Sequence, residues 1–114
     1  SSDRRLKEDI SPLATSLEDV AQLAGVRFRW RRDSPLSAAA GSAVQLGFLA
    51  QDVLRVFPEL VHQQGDGGAY MAVNYPGFAP ILVDAVNEQT RRLEDLLSRV
   101  AALERALERC CGKL

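Results

Sequence analysis

The chain has 114 residues, 46% of them hydrophobic and 25% charged, with a formal net charge of −1 at pH 7. This length suits one domain with a modest core, and the small net charge gives no bulk electrostatic case for binding nucleic acid or an anionic membrane. No apolar stretch approaches the roughly 20 residues that a spanning helix needs. With His62 as the only histidine, and cysteines only at positions 110 and 111, we expect no metal site, no cofactor and no His-based catalytic triad.

The first residues of the chain contain a serine and a lysine, Ser2 and Lys7, separated by five positions. A lysine can activate a serine hydroxyl only when neutral, so its pKa must fall from about 10.4 toward 7–8. A spacing of five places two side chains on opposite faces of a strand and about 140° apart on a helix. The pair can therefore act together only if a turn lies between the two residues. Because Ser2 has so little chain ahead of it, we expect its substrate to be the upstream chain and this chain to be the product of its own cleavage.

Short helices and strands are predicted next. A helix follows Ser11-Pro12, capped by Thr15 with Glu18 or by Ser16 with Asp19, and Gly25 ends it. In residues 26–31, apolar side chains alternate with arginines, a pattern that predicts a half-buried strand. Residues 33–43 are rich in Ser, Ala, Pro and Gly, which predicts a loop.

The middle of the chain predicts a helix and a hairpin. Residues 44–49 read as a strand, and residues 50–57 as a helix that ends before Pro58. The glycine-rich turn at residues 64–68 lies between two strand-like segments, so we expect an antiparallel hairpin across it.

From Pro80 onward the pattern becomes a heptad repeat typical of a long coiled-coil helix. The a positions are Val86, Leu93, Val100, Leu107 and Leu114, and the d positions are Gln89, Leu96, Leu103 and Cys110. Leu97 at e and Ala106 at g widen the apolar stripe beyond a and d, which favours a parallel trimer over a dimer. An amphipathic helix folded back on its own domain is the alternative. In a parallel bundle, Arg99 at g can pair with Glu104 at e of a neighbour.

Four blocks in the chain resemble the S74 peptidase family. Residues 2–10 (SDRRLKEDI) are similar to its opening motif, and residues 26–30 (VRFRW) to its V-x-F-x-W/Y strand. Residues 47–53 and 57–61 (GFLAQDV and FPELV) are similar to its GFIAQEV…FPELV segment. Residues 70–75 and 80–86 resemble the family's entry into a coiled coil. The blocks stand in family order and span nearly the whole chain.

The resemblance implies an intramolecular chaperone of phage tailspikes, tail fibres and endosialidases, related to the autocleavage domain of the myelin regulatory factor. Such domains form homotrimers, assist assembly of an upstream fibre of the same polypeptide, and then cut the chain before the motif serine. By position, Ser2 is the nucleophile, Lys7 the base and Ser1–Ser2 the scissile bond. Asp3 and Arg5 also match motif positions, and we expect them to shape the site. Pro76-Gly77 departs from the polar residues common at that turn.

The predicted fold is therefore α+β. A globular region of short helices and antiparallel strands (residues 1–79) precedes a long helix that forms a parallel, trimeric coiled coil (residues 80–114). Two other functions stay open. The chain can be a trimerisation module with a vestigial Ser/Lys pair, or a nucleic-acid binder acting through Arg27, Arg29, Arg31 and Arg32. Cys110 and Cys111, at d and e, can remain reduced thiols or form inter-chain disulfides.

Overall fold

The structure, a computed structural model, describes residues 1–14 and 17–111, and gives only the backbone of Ala39 and Ala40. Two compact units make up the chain: one comprises Ser1–Leu17 and Pro80–Leu114, and the other comprises Glu18–Ala79. The predicted caps at Thr15 and Ser16 and the heptad position of Leu114 lie outside the described residues.

The predicted α+β fold is confirmed, with short helices and antiparallel strands preceding one long helix. The helices are α1 (Leu17–Ala21), α2 (Ser37–Ala40), α3 (Ala50–Val56) and α4 (Phe78–Cys111). The strands are β1 (Val26–Phe28), β2 (Gln45–Gly47), β3 (Val61–Gln64) and β4 (Tyr70–Val73). β1 pairs with β2 and β3 with β4, each as a separate two-stranded antiparallel sheet.

The segment predicted as a loop, residues 33–43, contains the one-turn helix α2, and that part of the prediction is wrong. The Ser37 hydroxyl donates to the carbonyl oxygens of Arg32 and Ser34, which closes the backbone just before the helix. Gly41, at φ +62°, then ends it. Alanine has the highest helix propensity, and three alanines follow Ser37 in this helix. The segment therefore has turn residues at both ends, Ser34 before and Gly41 after, with a short helix between them.

The β3–β4 hairpin forms across the predicted glycine-rich turn, with Val61 paired with Val73. Gly65, Gly67 and Gly68 all have positive φ, between 66° and 88°. Residues with a side chain rarely adopt this conformation, so the turn depends on glycine. The predicted hairpin is confirmed.

An aromatic cluster forms the centre of the Glu18–Ala79 unit. The Phe78 ring lies 5.1 Å from that of Phe48 and 6.2 Å from that of Phe57, and the Tyr75 ring stacks on Phe48 at 6.1 Å. Val53 of α3 is fully buried, and Phe57 and Phe78 are 6% exposed. The cluster therefore packs together rings from three separate stretches of the Glu18–Ala79 unit.

The backbone approach to α4 is tight. A 3-10 turn spans Tyr75–Gly77, and the Asn74 side chain accepts a hydrogen bond from the Gly77 amide at 3.3 Å. α4 starts at Phe78, two residues before the predicted start, and Pro80 lies in its first turn, where a missing amide costs no hydrogen bond. Pro76 and Gly77, which differ from the polar residues common at this point in the family, thus belong to the last turn before the helix. Within residues 1–14 and 17–111, no helix combines the length and apolar character needed to cross a membrane.

Candidate functional site

A turn lies between Ser2 and Lys7, which is the condition that joint action at this spacing would need. Arg4–Leu6 form one turn of 3-10 helix, closed by hydrogen bonds from the Leu6 amide to the Asp3 carbonyl and from the Lys7 amide to the Arg4 carbonyl, both 3.1 Å. Asp3 precedes the turn in extended conformation, and Lys7 follows it in extended conformation. Ser2 and Lys7 therefore lie just outside opposite ends of one tight turn.

The Asp3 carboxylate holds this turn in two ways. It caps the turn by accepting a hydrogen bond from the Arg5 amide at 2.9 Å. It also binds the Arg5 guanidinium, with Nη2 2.7 Å from Oδ2 and Nε 3.1 Å from Oδ1. These side-chain bonds, followed by the bond from the Arg5 amide, lower the pKa of Asp3, and the same contact raises that of Arg5. Asp3 and Arg5 thus shape the turn.

Both members of the Ser/Lys pair are exposed to solvent, as is Ser1. Along the described chain, no hydrogen bond joins the Ser2 hydroxyl to the Lys7 amine. The Ser1 hydroxyl accepts a long hydrogen bond, 3.4 Å, from the Asp3 amide across Ser2. In the single chain the two exposed residues therefore flank a turn without a hydrogen bond between them.

The heptad side chains of α4 form a continuous exposed apolar stripe along a helix of 34 residues, about 50 Å at 1.5 Å per residue. The exposed fractions along the stripe are Val86 57%, Leu93 57%, Leu96 53%, Leu97 60%, Val100 48%, Leu103 69% and Leu107 64%. Isolated exposed leucines are common, but a continuous exposed stripe marks an interaction surface.

Charged side chains flank the stripe. Glu88 binds Arg91 at 2.7 Å and Arg92 at 3.2 Å, and these two arginines lower its pKa. The Asp95–Arg99 pair is looser, at 3.9 Å. Across the described residues, Glu104 makes no ion pair, so its carboxylate is available to another chain.

The cysteines and the arginine cluster contribute less to the site. Cys110 and Cys111 are free, exposed thiols, and no three His, Cys, Asp or Glu side chains come together as a metal site in residues 1–14 and 17–111. In the arginine cluster, Arg31 binds Asp33 at 3.1 Å, and Arg29 donates to the Ser42 carbonyl. Two of the four arginines in the cluster thus have partners within the chain.

The apolar stripe also extends one heptad earlier than the sequence predicted. Stepping back seven residues from Gln89 gives Leu82 at d, with Val83 at e, and these side chains are 49% and 60% exposed. On another side of the helix, Ile81 and Ala85 are buried, at 3% and 5% exposure. Because the heptad was counted from Val86, this earlier position was overlooked although the spacing contained it.

Comparison with known proteins gives two related results. A family model described as chaperone of endosialidase, peptidase S74, matches residues 2–62. The chain is also similar to two long tail fibre proteins named Gp37: that of Salmonella phage S16, at 26% identity over 91% of this chain, and that of Escherichia phage AR1, at 28% identity over 76%. The chain spans 14% and 8% of the lengths of those relatives.

Proposed function

Because the chain belongs to the chaperone of endosialidase family, peptidase S74, we propose that it is an assembly chaperone for a phage tail fibre. Three copies associate through α4, assist folding of the fibre segment that precedes the chain, and then cut the polypeptide between Ser1 and Ser2. In this proposal residues 1–79 carry the processing function and residues 80–114 hold the trimer together. The long tail fibre relatives support a fibre as the upstream segment.

The exposed stripe on α4 is the observation that carries the proposal. Seven heptad side chains between Val86 and Leu107 are each about half exposed or more. Burying apolar surface contributes roughly 25 cal/mol per Å², so a stripe this long favours association. The wide face formed by Leu97 at e and Ala106 at g supports three strands.

Gln89 fits the same assembly. It is the one polar residue among the d positions of the described helix, and its side chain is exposed. A polar residue at a core position specifies register at a cost in stability. We propose that Gln89 aligns the three helices so that their globular regions lie at the same level.

The proposed chemistry is an acyl shift followed by hydrolysis. Lys7, in its neutral form, takes the proton from the Ser2 hydroxyl, and the oxygen attacks the carbonyl carbon of Ser1. The bond between that carbon and the Ser2 nitrogen breaks, the nitrogen takes up a proton, and the upstream chain is left as an ester on Ser2. Water then hydrolyses the ester, which gives a new carboxyl end at Ser1 and restores the Ser2 hydroxyl.

Cleavage is tested by expressing the chain with an upstream fibre segment attached. We expect two fragments, the smaller with Ser2 at its N-terminus by mass spectrometry. Ser2→Ala and Lys7→Arg should remain whole, since the first removes the nucleophile and the second keeps the charge but cannot lose a proton. Lys113→Arg, at the only other lysine, is the matched control and should be cut normally.

Assembly is tested separately by sedimentation equilibrium of the 114-residue chain. We expect three times the 12.5 kDa chain mass. Leu103→Asp places a charge in the stripe and should give monomer, whereas Leu36→Asp, at an exposed leucine outside α4, should stay trimeric. A monomeric wild-type chain would contradict the assembly step.

A non-enzymatic trimerisation module is the second candidate. It is favoured by the exposure of Ser2 and Lys7 and by the lack of a hydrogen bond between them in the described chain. It predicts a trimer in the sedimentation experiment and an uncut chain in the expression experiment, so the two measurements together separate the candidates.

A further inference from the structure

The exposed residue of strand β2 is a leucine, where a surface strand usually has a polar residue. On β2, Leu46 is 76% exposed, while its strand neighbours Gln45 and Gly47 are partly buried. The order of polar and apolar residues is thus the reverse of that expected for a solvated face. An exposed leucine of this kind, on a short strand with a free edge, indicates a surface that another segment covers.

The surroundings of Leu46 form a receiving surface, which we call the β1–β2 face. Val44 and Leu49, on either side of β2, are 50% and 52% exposed. Arg27 of β1 is directly opposite Leu46 in the strand register, is exposed, and makes no ion pair within the described residues. An open cleft of about 400 Å³ is lined by Gly25, Val26, Arg27, Leu46, Gly47 and Phe48. The face is therefore apolar with one unpaired positive charge.

The segment after the 3-10 turn, residues 6–13, has the complementary character. Leu6, Ile10 and Leu13 are 74%, 57% and 50% exposed. Glu8 and Asp9 lie between them, exposed and without an ion pair among the described residues. The segment is extended or bent and has no regular structure after Leu6, with Asp9 at φ +54°. It thus combines three apolar side chains with two unpaired acids.

We propose that residues 6–13 of one protomer bind the β1–β2 face of a neighbouring protomer in the trimer. The proposal rests on the trimer of the proposed function, which brings other copies of both surfaces close to each chain. In the single chain, Ile10 and Leu46 are both more than half exposed. Docking buries both, and it places the acids of the segment near Arg27 of the neighbour.

This docking gives cleavage a reason to wait for assembly. Lys7 lies inside the docked segment, so covering the segment removes water from the amine and favours its neutral form. Pairing Glu8 with the neighbour's Arg27 also removes a negative charge that stabilises the charged lysine. The processing site of one chain is therefore incomplete until a second chain supplies the β1–β2 face.

Cross-linking between differently tagged chains tests the contact. Both chains carry Cys110→Ser and Cys111→Ser; one also carries Ile10→Cys and the other Leu46→Cys, and the two are co-expressed. Oxidation with diamide should give a disulfide-linked pair with both tags on a non-reducing gel. Ile10→Cys with Leu36→Cys is the matched control and should link at least 10-fold less. A trimer that links the two pairs equally, or neither, would overturn the docking and leave the trimer standing.

A functional measurement complements the cross-link. In the chain with its upstream segment, Leu46→Lys should slow cleavage at least 10-fold. Sedimentation should still show a trimer, because the Leu46 side chain is mostly exposed in the single chain and its replacement should not disturb folding. Leu36→Lys should cleave at the wild-type rate. Normal cleavage by a trimeric Leu46→Lys chain would overturn the docking. An uncut wild-type trimer that still forms the cross-link would refute autoproteolysis alone.

Discussion

Arg5 binds the carboxylate of Asp3 through both Nε and Nη2, at 3.1 and 2.7 Å, while its own amide donates to the same carboxylate. One side chain therefore caps the 3-10 turn and orders the residue inside it. This arrangement gives the segment between Ser2 and Lys7 a defined shape although every side chain in it except the partly buried Asp3 is exposed. The pair is local and charge-assisted, which makes it stronger than a neutral hydrogen bond of the same length.

Removing the guanidinium should therefore impair processing without touching the proposed nucleophile or base. We expect Arg5→Ala to slow cleavage of the upstream-extended chain by roughly 10- to 100-fold, since small displacements of reacting groups have effects of that size. Arg4→Ala, one residue earlier in the same turn, is the control and should change the rate less than 3-fold. The rate is followed by gel densitometry, and equal rates for the two variants would contradict a positioning role for Arg5.

The same contact predicts a pH dependence. Because Arg5 lowers the pKa of Asp3 below 3.8, the stability contributed by the pair is present above the ordinary carboxyl pKa and is lost as pH falls through the lowered value. NMR titration should show the Asp3 carboxyl with a lowered midpoint in the wild-type chain and a higher one in Arg5→Ala, which loses the guanidinium but keeps the amide hydrogen bond. A midpoint unchanged by the substitution would show that the ion pair does not form in solution.

Gly77 immediately precedes α4. A β-carbon there would lie 2.5 Å from the Leu60 Cδ2 and 3.1 Å from the side-chain Nδ2 of Asn74. Leu60 is 6% exposed, so it has little room to move. We expect Gly77→Ala to lower the free energy of unfolding by about 1–3 kcal/mol, as overpacking does. Gly25→Ala, with no atom within 4 Å of the added carbon, is the control, and its chemical denaturation midpoint should stay at or above that of wild type.

A second close approach links β2 to the turn before α4. The Tyr75 hydroxyl accepts a hydrogen bond from the Phe48 amide at 3.0 Å and lies 2.6 Å from the position that a Gly47 β-carbon would take. Tyr75→Phe should lower the free energy of unfolding by about 0.5–1.5 kcal/mol, because the hydrogen bond is lost. Gly47→Ala should lower it further, because the added methyl group meets the Tyr75 hydroxyl. In the double variant the clash is relieved.

The two substitutions should therefore be non-additive by 0.5 kcal/mol or more, as expected for residues in contact. Urea denaturation of the four chains measures this. Strictly additive costs would mean that the Tyr75 hydroxyl lies elsewhere in solution.

Elements with a strong local pattern were predictable from the sequence. The glycines at 65, 67 and 68 specify the hairpin turn because these three turn positions have positive φ. The long helix is equally clear, because apolar residues recur at steps of three and four from Val86 to Leu107. In these cases the local preference and the final structure agree.

Contacts between distant residues were not predictable in the same way. Nothing local to Tyr75 indicates that its hydroxyl binds the Phe48 amide, 27 residues away. Leu46 was part of a correctly predicted strand, but the sequence did not indicate which face of that strand is exposed. The turn between Ser2 and Lys7 was required by their spacing, yet the Asp3–Arg5 contact that holds it became visible only in the structure.

The heptad register of α4 predicts one ion pair between neighbouring helices of the trimer. In a parallel bundle, g of one chain faces e of the next heptad in its neighbour, and the only oppositely charged pair at such positions in the described helix is Arg99 with Glu104. Glu104→Arg should raise the dissociation constant of the trimer, because Arg99 of a neighbour then meets a like charge. Arg99→Glu should do the same, and the double exchange should recover most of the loss.

Each such contact contributes about 0.2–1 kcal/mol when exposed, and three occur per trimer. The total is large enough to resolve by sedimentation equilibrium at low salt and should shrink at 1 M salt, where the screening length is about 3 Å. Glu94→Arg, at the outward b position, is the matched control and should leave the dissociation constant within 2-fold. An antiparallel arrangement would not bring Arg99 and Glu104 together in this way, so failure of the double exchange to restore assembly would argue against the parallel register.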